Sequence, residues 1–124
     1  MSIEEQNYSD RRRHARFELL DYAIVTKEGE IDSKRSVIVD ISLGGLQLRS
    51  RQPFESGEKY ALVIARGNNT PISIKAEARH SKSIEDSDLW STGFRLTPET
   101  AVERIEWVEY VHQVFKTQGE SLIG

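Results

Sequence analysis

Apolar and polar residues alternate with period two along much of the chain, the pattern of half-buried strands. Tyr22, Ile24 and Thr26 alternate with Ala23 and Val25. Val37, Ile38 and Val39 form an apolar run within 36–40, too short for a helix and rich in β-branched residues. Leu46, Leu48 and Ser50 alternate with Gln47 and Arg49, and Tyr60, Leu62 and Ile64 with Ala61, Val63 and Ala65. The cleanest alternation sets Ile72, Ile74, Ala76 and Ala78 against Ser73, Lys75, Glu77 and Arg79, and a last segment runs from Leu89 to Leu96. Turn chemistry separates these runs: Ser42-Leu43-Gly44-Gly45, residues 53–57, Gly67-Asn68-Asn69 and the acidic stretch Glu85-Asp86-Ser87-Asp88. Six short strands spaced by turns predict a mainly β fold, a small antiparallel barrel or sandwich.

The period then changes. Ala101, Ile105, Val108, His112 and Phe115 follow helical spacing, flanked by Val102, Val111 and Val114. Thr97 reads as the N-cap, Pro98 as N1, and Glu99 and Glu103 suit the positive end of the helix dipole. Gly119 fits the C′ position, so a helix over 98–118 is expected, about 30 Å long. On this pattern Trp107, Val111 and Val114 are packing residues, and Trp107 and Tyr110 also mark a side that could form a contact surface or dimer seam. His112 reads as a core histidine. The organisation is a polar tail over 1–10, an arginine arm over 11–16, a barrel over 17–96, the helix, and a short tail over 119–124.

Composition excludes several classes. The 124 residues suit one domain, and 37% hydrophobic with 30% charged residues argues against global disorder. No apolar run approaches the roughly 18 residues of a membrane span, so membrane insertion is not expected. The N-terminus lacks a secretory h-region and the chain has no cysteine, which fits a cytoplasmic protein and excludes disulfides and thiol chemistry. The three histidines are far apart, with no metal-ligand spacing, P-loop or nucleophile set, so neither metal site nor enzyme is expected. Net charge is −3, from 17 basic and 20 acidic residues. Four of those 17 lie in the arm, so 13 face 20 acidic residues elsewhere, a poor footprint for a nucleic-acid polymer.

Two short motifs stand out. Arg11, Arg12, Arg13 and Arg16 crowd six residues beside His14. Each guanidinium fork can grip a phosphate or the O6/N7 edge of guanine, or stack on a purine. Asp40-Ile41-Ser42-Leu43-Gly44-Gly45 offers an acceptor-only carboxylate for a guanine N1–H and amine, and a hydroxyl. Gly44 and Gly45 can take positive φ and let a ligand approach the backbone. Each motif alone has an ordinary reading, a solvated basic arm and a common turn. Together, at strand ends that a barrel can bring to one rim, they point to an anion that carries guanine.

Arg12-xxx-Arg16 followed by Asp40-x-Ser42-x-x-Gly45 resembles the PilZ domain signature, and Leu89-Trp90-Ser91-Thr92-Gly93-Phe94-Arg95-Leu96 looks like that family's last strand. The resemblance spans about residues 11 to 115. It implies a six-stranded antiparallel barrel with a C-terminal α-helix, and binding of cyclic di-GMP, a bacterial second messenger. It implies that Arg12 and Arg16 clamp guanine and phosphate, with Arg13 beside them, that Asp40 and Ser42 face a guanine, and that Gly45 shapes the turn. Arg11, just before the first motif arginine, implies an intercalated pair of ligands. His80 falls where some members carry a tryptophan against guanine; an ordinary surface histidine is the other reading. The resemblance further implies a ligand that orders the arm and an output through an unidentified protein in trans. A nucleotide-independent PilZ-like adaptor is the alternative, which the intact motifs count against.

Overall fold

The computed structural model describes residues 21–66 and 69–123. The alternating segments become β1 (Tyr22–Lys27), β2 (Ser33–Ile41), β3 (Gly45–Ser50), β4 (Lys59–Arg66), β5 (Asn69–Ser83) and β6 (Trp90–Leu96). They are followed by the helix α1 (Ala101–Ile123). The strands close into a barrel in the order β1-β2-β3-β6-β5-β4, every neighbour antiparallel. Closure leaves no unpaired edge among these six strands.

The inward set is the expected one on four strands: Leu46 and Leu48, Leu62 and Ile64, the alternate residues Ile72, Ile74, Ala76 and Ala78, and Phe94 are buried. On β1 the inward residues are Ala23 and Val25, while Tyr22, Ile24 and Thr26 are only half-buried. Tyr22 instead carries the Arg35 guanidinium over its ring, 4.1 Å from the centroid. Phe54, from the β3–β4 connection, packs edge-on against Tyr60 and Phe94 at centroid distances of 5.3 and 5.4 Å.

Two β-bulges reset the alternation. Ser36 and Ile38 are buried, and strict parity would send Asp40 inward next. The β2–β3 register shifts between Ile38 and Asp40, so Ile41 enters the core and Asp40 turns outward. On β5 the register against β6 shifts between Ala78 and His80. His80 is therefore exposed, and Ser81 turns towards the buried Thr92, sharing a 2.6 Å hydrogen bond with it.

The helix departs from expectation at both ends and on its face. Thr97 is not its cap: Thr97 N–H donates to the Lys75 carbonyl at 2.9 Å, so this residue continues the β-ladder. Its hydroxyl has no hydrogen-bond partner among the described residues. Thr100 caps instead, its Oγ1 accepting from Glu103 N–H at 3.1 Å, while the Glu103 carboxylate accepts from Glu99 N–H at 2.9 Å. Pro98 thus precedes the helix, and α1 runs through Gly119 rather than ending there. The buried stripe is Trp107, Tyr110, Val111 and Val114. Ile105 and Phe115 are 55% and 44% exposed, and His112 is also exposed, so it is no core histidine. Trp107 and Tyr110, each 2% exposed, are not an outer contact side. These two have the largest area to bury, and each also carries a polar tip that finds a partner, which decides the orientation of the helix.

Candidate functional site

On the outer wall of the barrel, β2, β3, β6 and β5 lie side by side. Asp40 pairs with Gln47, Gln47 with Gly93, and Gly93 with His80. These four residues form one row across the wall, with Asp40 and His80 three strand spacings apart, about 14 Å. Both ends of the row face outward because of the two bulges. The middle is low because Gly93 has no side chain, and the His80 imidazole lies against it: a Cβ there would meet the ring atoms at 3.7 and 3.8 Å. The result is an open cleft of about 350 Å³, within the range of small-molecule sites.

The β2–β3 turn closes one end of the cleft. Ser42 N–H donates to the Gly45 carbonyl at 2.8 Å, and Gly45 N–H returns a bond to Ser42 Oγ at 3.2 Å. The two glycines differ in role, and neither has the positive φ expected of it. A Cβ on Gly45 would sit 2.3 Å from the Phe94 carbonyl oxygen on β6, so this glycine permits close strand packing. A Cβ on Gly44 would meet nothing within 4 Å, so this glycine leaves the cleft open.

Two arginines flank the cleft. Arg79 is the bulged residue of β5, beside His80, and Arg95, the outward residue two beyond Gly93, pairs with Gly45 of the turn. Arg95 Nη2 donates to Glu77 Oε1 at 2.8 Å, and Arg79 Nη1 lies 3.5 Å from Glu77 Oε2. The Arg95 hydrogen bond, with the charge of Arg79 behind it, holds the Glu77 carboxyl below its usual range. One carboxylate thus serves two guanidiniums, each more than half exposed, which leaves this group of three with one positive charge at the cleft.

The helix joins the site to the start of the barrel. Trp107 Nε1–H donates to the Ser42 carbonyl at 3.0 Å. Tyr110, one turn on, donates its hydroxyl to Asp21 Oδ2 at 2.7 Å, and the two rings are 5.4 Å apart. Burial and the Asp21 carboxylate push the Tyr110 hydroxyl far up from its ordinary pKa, so it stays protonated as a donor. The Asp21 carbonyl accepts from Ile38 N–H at 3.3 Å. Asp21 is therefore two residues, about 7 Å, along β2 from Asp40.

Five residues singled out in the sequence thus meet in one cleft: Asp40, Ser42, Gly44, Gly45 and His80. Arg11, Arg12, Arg13 and Arg16 lie outside the described residues. Arg79, Arg95 and Gln47 were not anticipated. Arg95 was within reach of pattern reasoning, as an outward position on the same strand as Gly93; Arg79 was not, since its placement depends on the bulge. The polar tip of Trp107 was also missed, because its place in the helical pattern explains it as packing alone. No helix among the described residues is long and apolar enough to cross a membrane.

A family profile described as the PilZ domain matches residues 10–113. No curated protein sequence matches the chain. Among solved structures, the PilZ domain of YcgR from Escherichia coli, held with c-di-GMP, superposes with a TM-score of 0.66 at 15% identity. That match covers 83% of this chain and 88% of the other. MrkH of K. pneumonia superposes at TM-score 0.72 and 12% identity, over 86% of this chain and 50% of MrkH. The Bacillus subtilis inhibitor of motility MotI/DgrA gives TM-score 0.61 and 21% identity, over 85% and 50%. The chain therefore spans about half the length of MrkH and of MotI.

Proposed function

The chain belongs to the PilZ domain family, and from that premise we propose that it is a receptor for cyclic di-GMP, binding the nucleotide between its N-terminal arginines and the cleft on the barrel wall. The observation that carries this reading is the row from Asp40 to His80, with the imidazole seated against Gly93, open space at Gly44, and the guanidiniums of Arg95 beside Gly45 and Arg79 beside His80. Asp40 accepts from the N1–H and amine edge of a guanine, and Ser42 adds its hydroxyl. The His80 ring offers a stacking face at the far end. Arg79 and Arg95 add positive charge for phosphate, with Arg79 the less firmly engaged of the two by Glu77.

Arg12 and Arg16 supply the remaining contacts. Arg16 is five residues before Asp21, a reach of at most about 18 Å, and Asp21 is held near Asp40. The arm can therefore cover the cleft from the Asp40 side. Arg11, next to the first motif arginine, supports an intercalated pair of nucleotides, whose four negative charges match four arginines. Binding orders the arm, and the entropy lost is offset by charge-assisted hydrogen bonds and stacking. Trp107 and Tyr110 tie both the motif turn and the start of β1 to α1, so the remodelled surface reaches the helix, where a partner protein in trans reads it.

Isothermal titration calorimetry with cyclic di-GMP at near-physiological salt tests this reading. The wild-type chain should bind at micromolar or lower concentration, and Arg12→Ala/Asp40→Ala should abolish the heat. A molar ratio near two supports the pair; a ratio near one removes it. No heat and no shift in melting temperature from folded wild-type protein overturns the receptor reading in favour of a nucleotide-independent adaptor. Slowed hydrogen exchange over residues 8–16 on saturation is the expected sign of arm ordering, and unchanged exchange refutes that step.

A further inference from the structure

Three of the seven large hydrophobic residues that the described structure leaves exposed lie on one helix: Val102 at 62%, Ile105 at 55% and Phe115 at 44%. Ile105 and Phe115 belong to the set Ala101, Ile105, Val108, His112, Phe115, spaced four, three, four, three. At 100° per residue, this stripe is centred about 130° from the stripe of Trp107, Tyr110, Val111 and Val114 that packs on the barrel. The helix thus has two apolar faces, and the barrel uses only one. The spacing of the outer face is that of a coiled-coil seam, with Ile105 and His112 at a, and Ala101, Val108 and Phe115 at d.

We propose that the outer face of α1 docks against the same face of a second copy of this chain, the two helices parallel about a two-fold axis. The charges at the edges of the seam select the occupant and its direction. Arg104 is at g and Glu109 at e, both exposed. In a parallel pair each g residue lies against the e residue five positions on in the partner, so Arg104 of each copy meets Glu109 of the other, twice by symmetry. An antiparallel pair sets like edge against like edge and loses both contacts. Each barrel packs about 130° round its own helix, with Val111 at g buried against it, and Arg66 at the end of β4 shares a cleft with Glu109 and His112, which leaves Ala101, Ile105, Val108 and Phe115 as the seam's contact residues. The seam over 101–115 is about 22 Å long, two heptads, so the dimer is a transient one. This inference stands on the helix alone and does not require the nucleotide.

Sedimentation velocity without nucleotide, from roughly 1 µM to 1 mM, spans the range in which transient complexes assemble. The expected result is a rise from monomer to dimer with concentration. Ile105→Glu should stay monomeric throughout, with unchanged helix content and melting temperature, because the position is already half exposed. Arg104→Glu should weaken the dimer by about tenfold, since two attractive pairs become repulsive. The swap Arg104→Glu/Glu109→Arg should recover it. A wild-type chain still monomeric at the highest concentration overturns the proposal, as does a dimer that Ile105→Glu leaves intact. A swap that fails to recover association overturns the parallel arrangement.

Discussion

Replacing Gly45 by alanine adds a single methyl group, yet it should be among the most damaging substitutions in the barrel wall. The new Cβ would sit 2.3 Å from the Phe94 carbonyl oxygen, where about 3.0 Å is the closest approach real Cβ atoms make. β3 and β6 must therefore separate by at least 0.7 Å, the difference between those distances. The obstacle is main chain and has no rotamer by which to yield. Such overpacking costs about 1–3 kcal/mol. The shift also stretches the bond that ties the turn to β6, Leu96 N–H to the Gly44 carbonyl at 3.0 Å. It contributes about 1 kcal/mol. The sum is about 3 kcal/mol, a large part of the 5–15 kcal/mol that typically holds a domain folded. For about 100 ordered residues this lowers the melting temperature by about 12 °C. Gly44→Ala is the internal control. Neither glycine has positive φ, and the Gly44 methyl enters open space, so this change should stay within about 0.5 kcal/mol of wild type. Calorimetric melting of both variants decides the matter. A Gly45→Ala transition within 3 °C of wild type, or equal losses for the two alanines, would refute the steric argument.

Trp107→Phe keeps most of the ring but strips the Ser42 carbonyl of its donor; thermal melting should show a loss of about 1–2 kcal/mol, and calorimetry a weaker affinity for cyclic di-GMP. Glu77 is held below its ordinary carboxylate value of 4.5, chiefly by Arg95, so its contribution is present above that pH and is lost as pH falls through the lowered value. The stability difference between wild type and Glu77→Gln should accordingly shrink on acidification below about pH 4.5, and a difference that grows instead would reverse the assignment. Arg79→Ala removes an exposed guanidinium at the cleft and should lower nucleotide affinity several-fold while leaving the melting temperature within about 2 °C, separating binding from folding.

The closed barrel was legible because four of its strands keep period two without interruption. Where parity breaks, the pattern alone misleads. Asp40 follows Ser36 and Ile38 in the inward phase, and His80 follows Ala78; only an extra residue in each strand turns them out. Motif resemblance named both as site residues, but the bulges that place them leave no mark in composition. The helix failed differently. Both of its faces are apolar, so periodicity offered two solutions and the stronger-looking stripe was the outer one. Thr97 and Thr100 both suit an N-cap, and the choice rests on the Thr97 amide being engaged by Lys75 across the sheet. Arg79 escaped notice for the same reason as the bulges: it shares the cleft with Asp40 only through long-range pairing.

Hydrogen bonding runs around the whole circumference of the barrel, which makes it a hoop rather than a hinge. A hoop cannot widen at one strand without breaking a ladder, so the wall beneath the cleft behaves as an anvil. A molecule pressed against it transmits no motion through it. Any displacement must pass along the elements attached to the hoop: the chain entering at Asp21, the Ser42 turn, and the helix bonded to both. Amide exchange should reflect this division, with the strands opening only on global unfolding and these attachments opening far more readily.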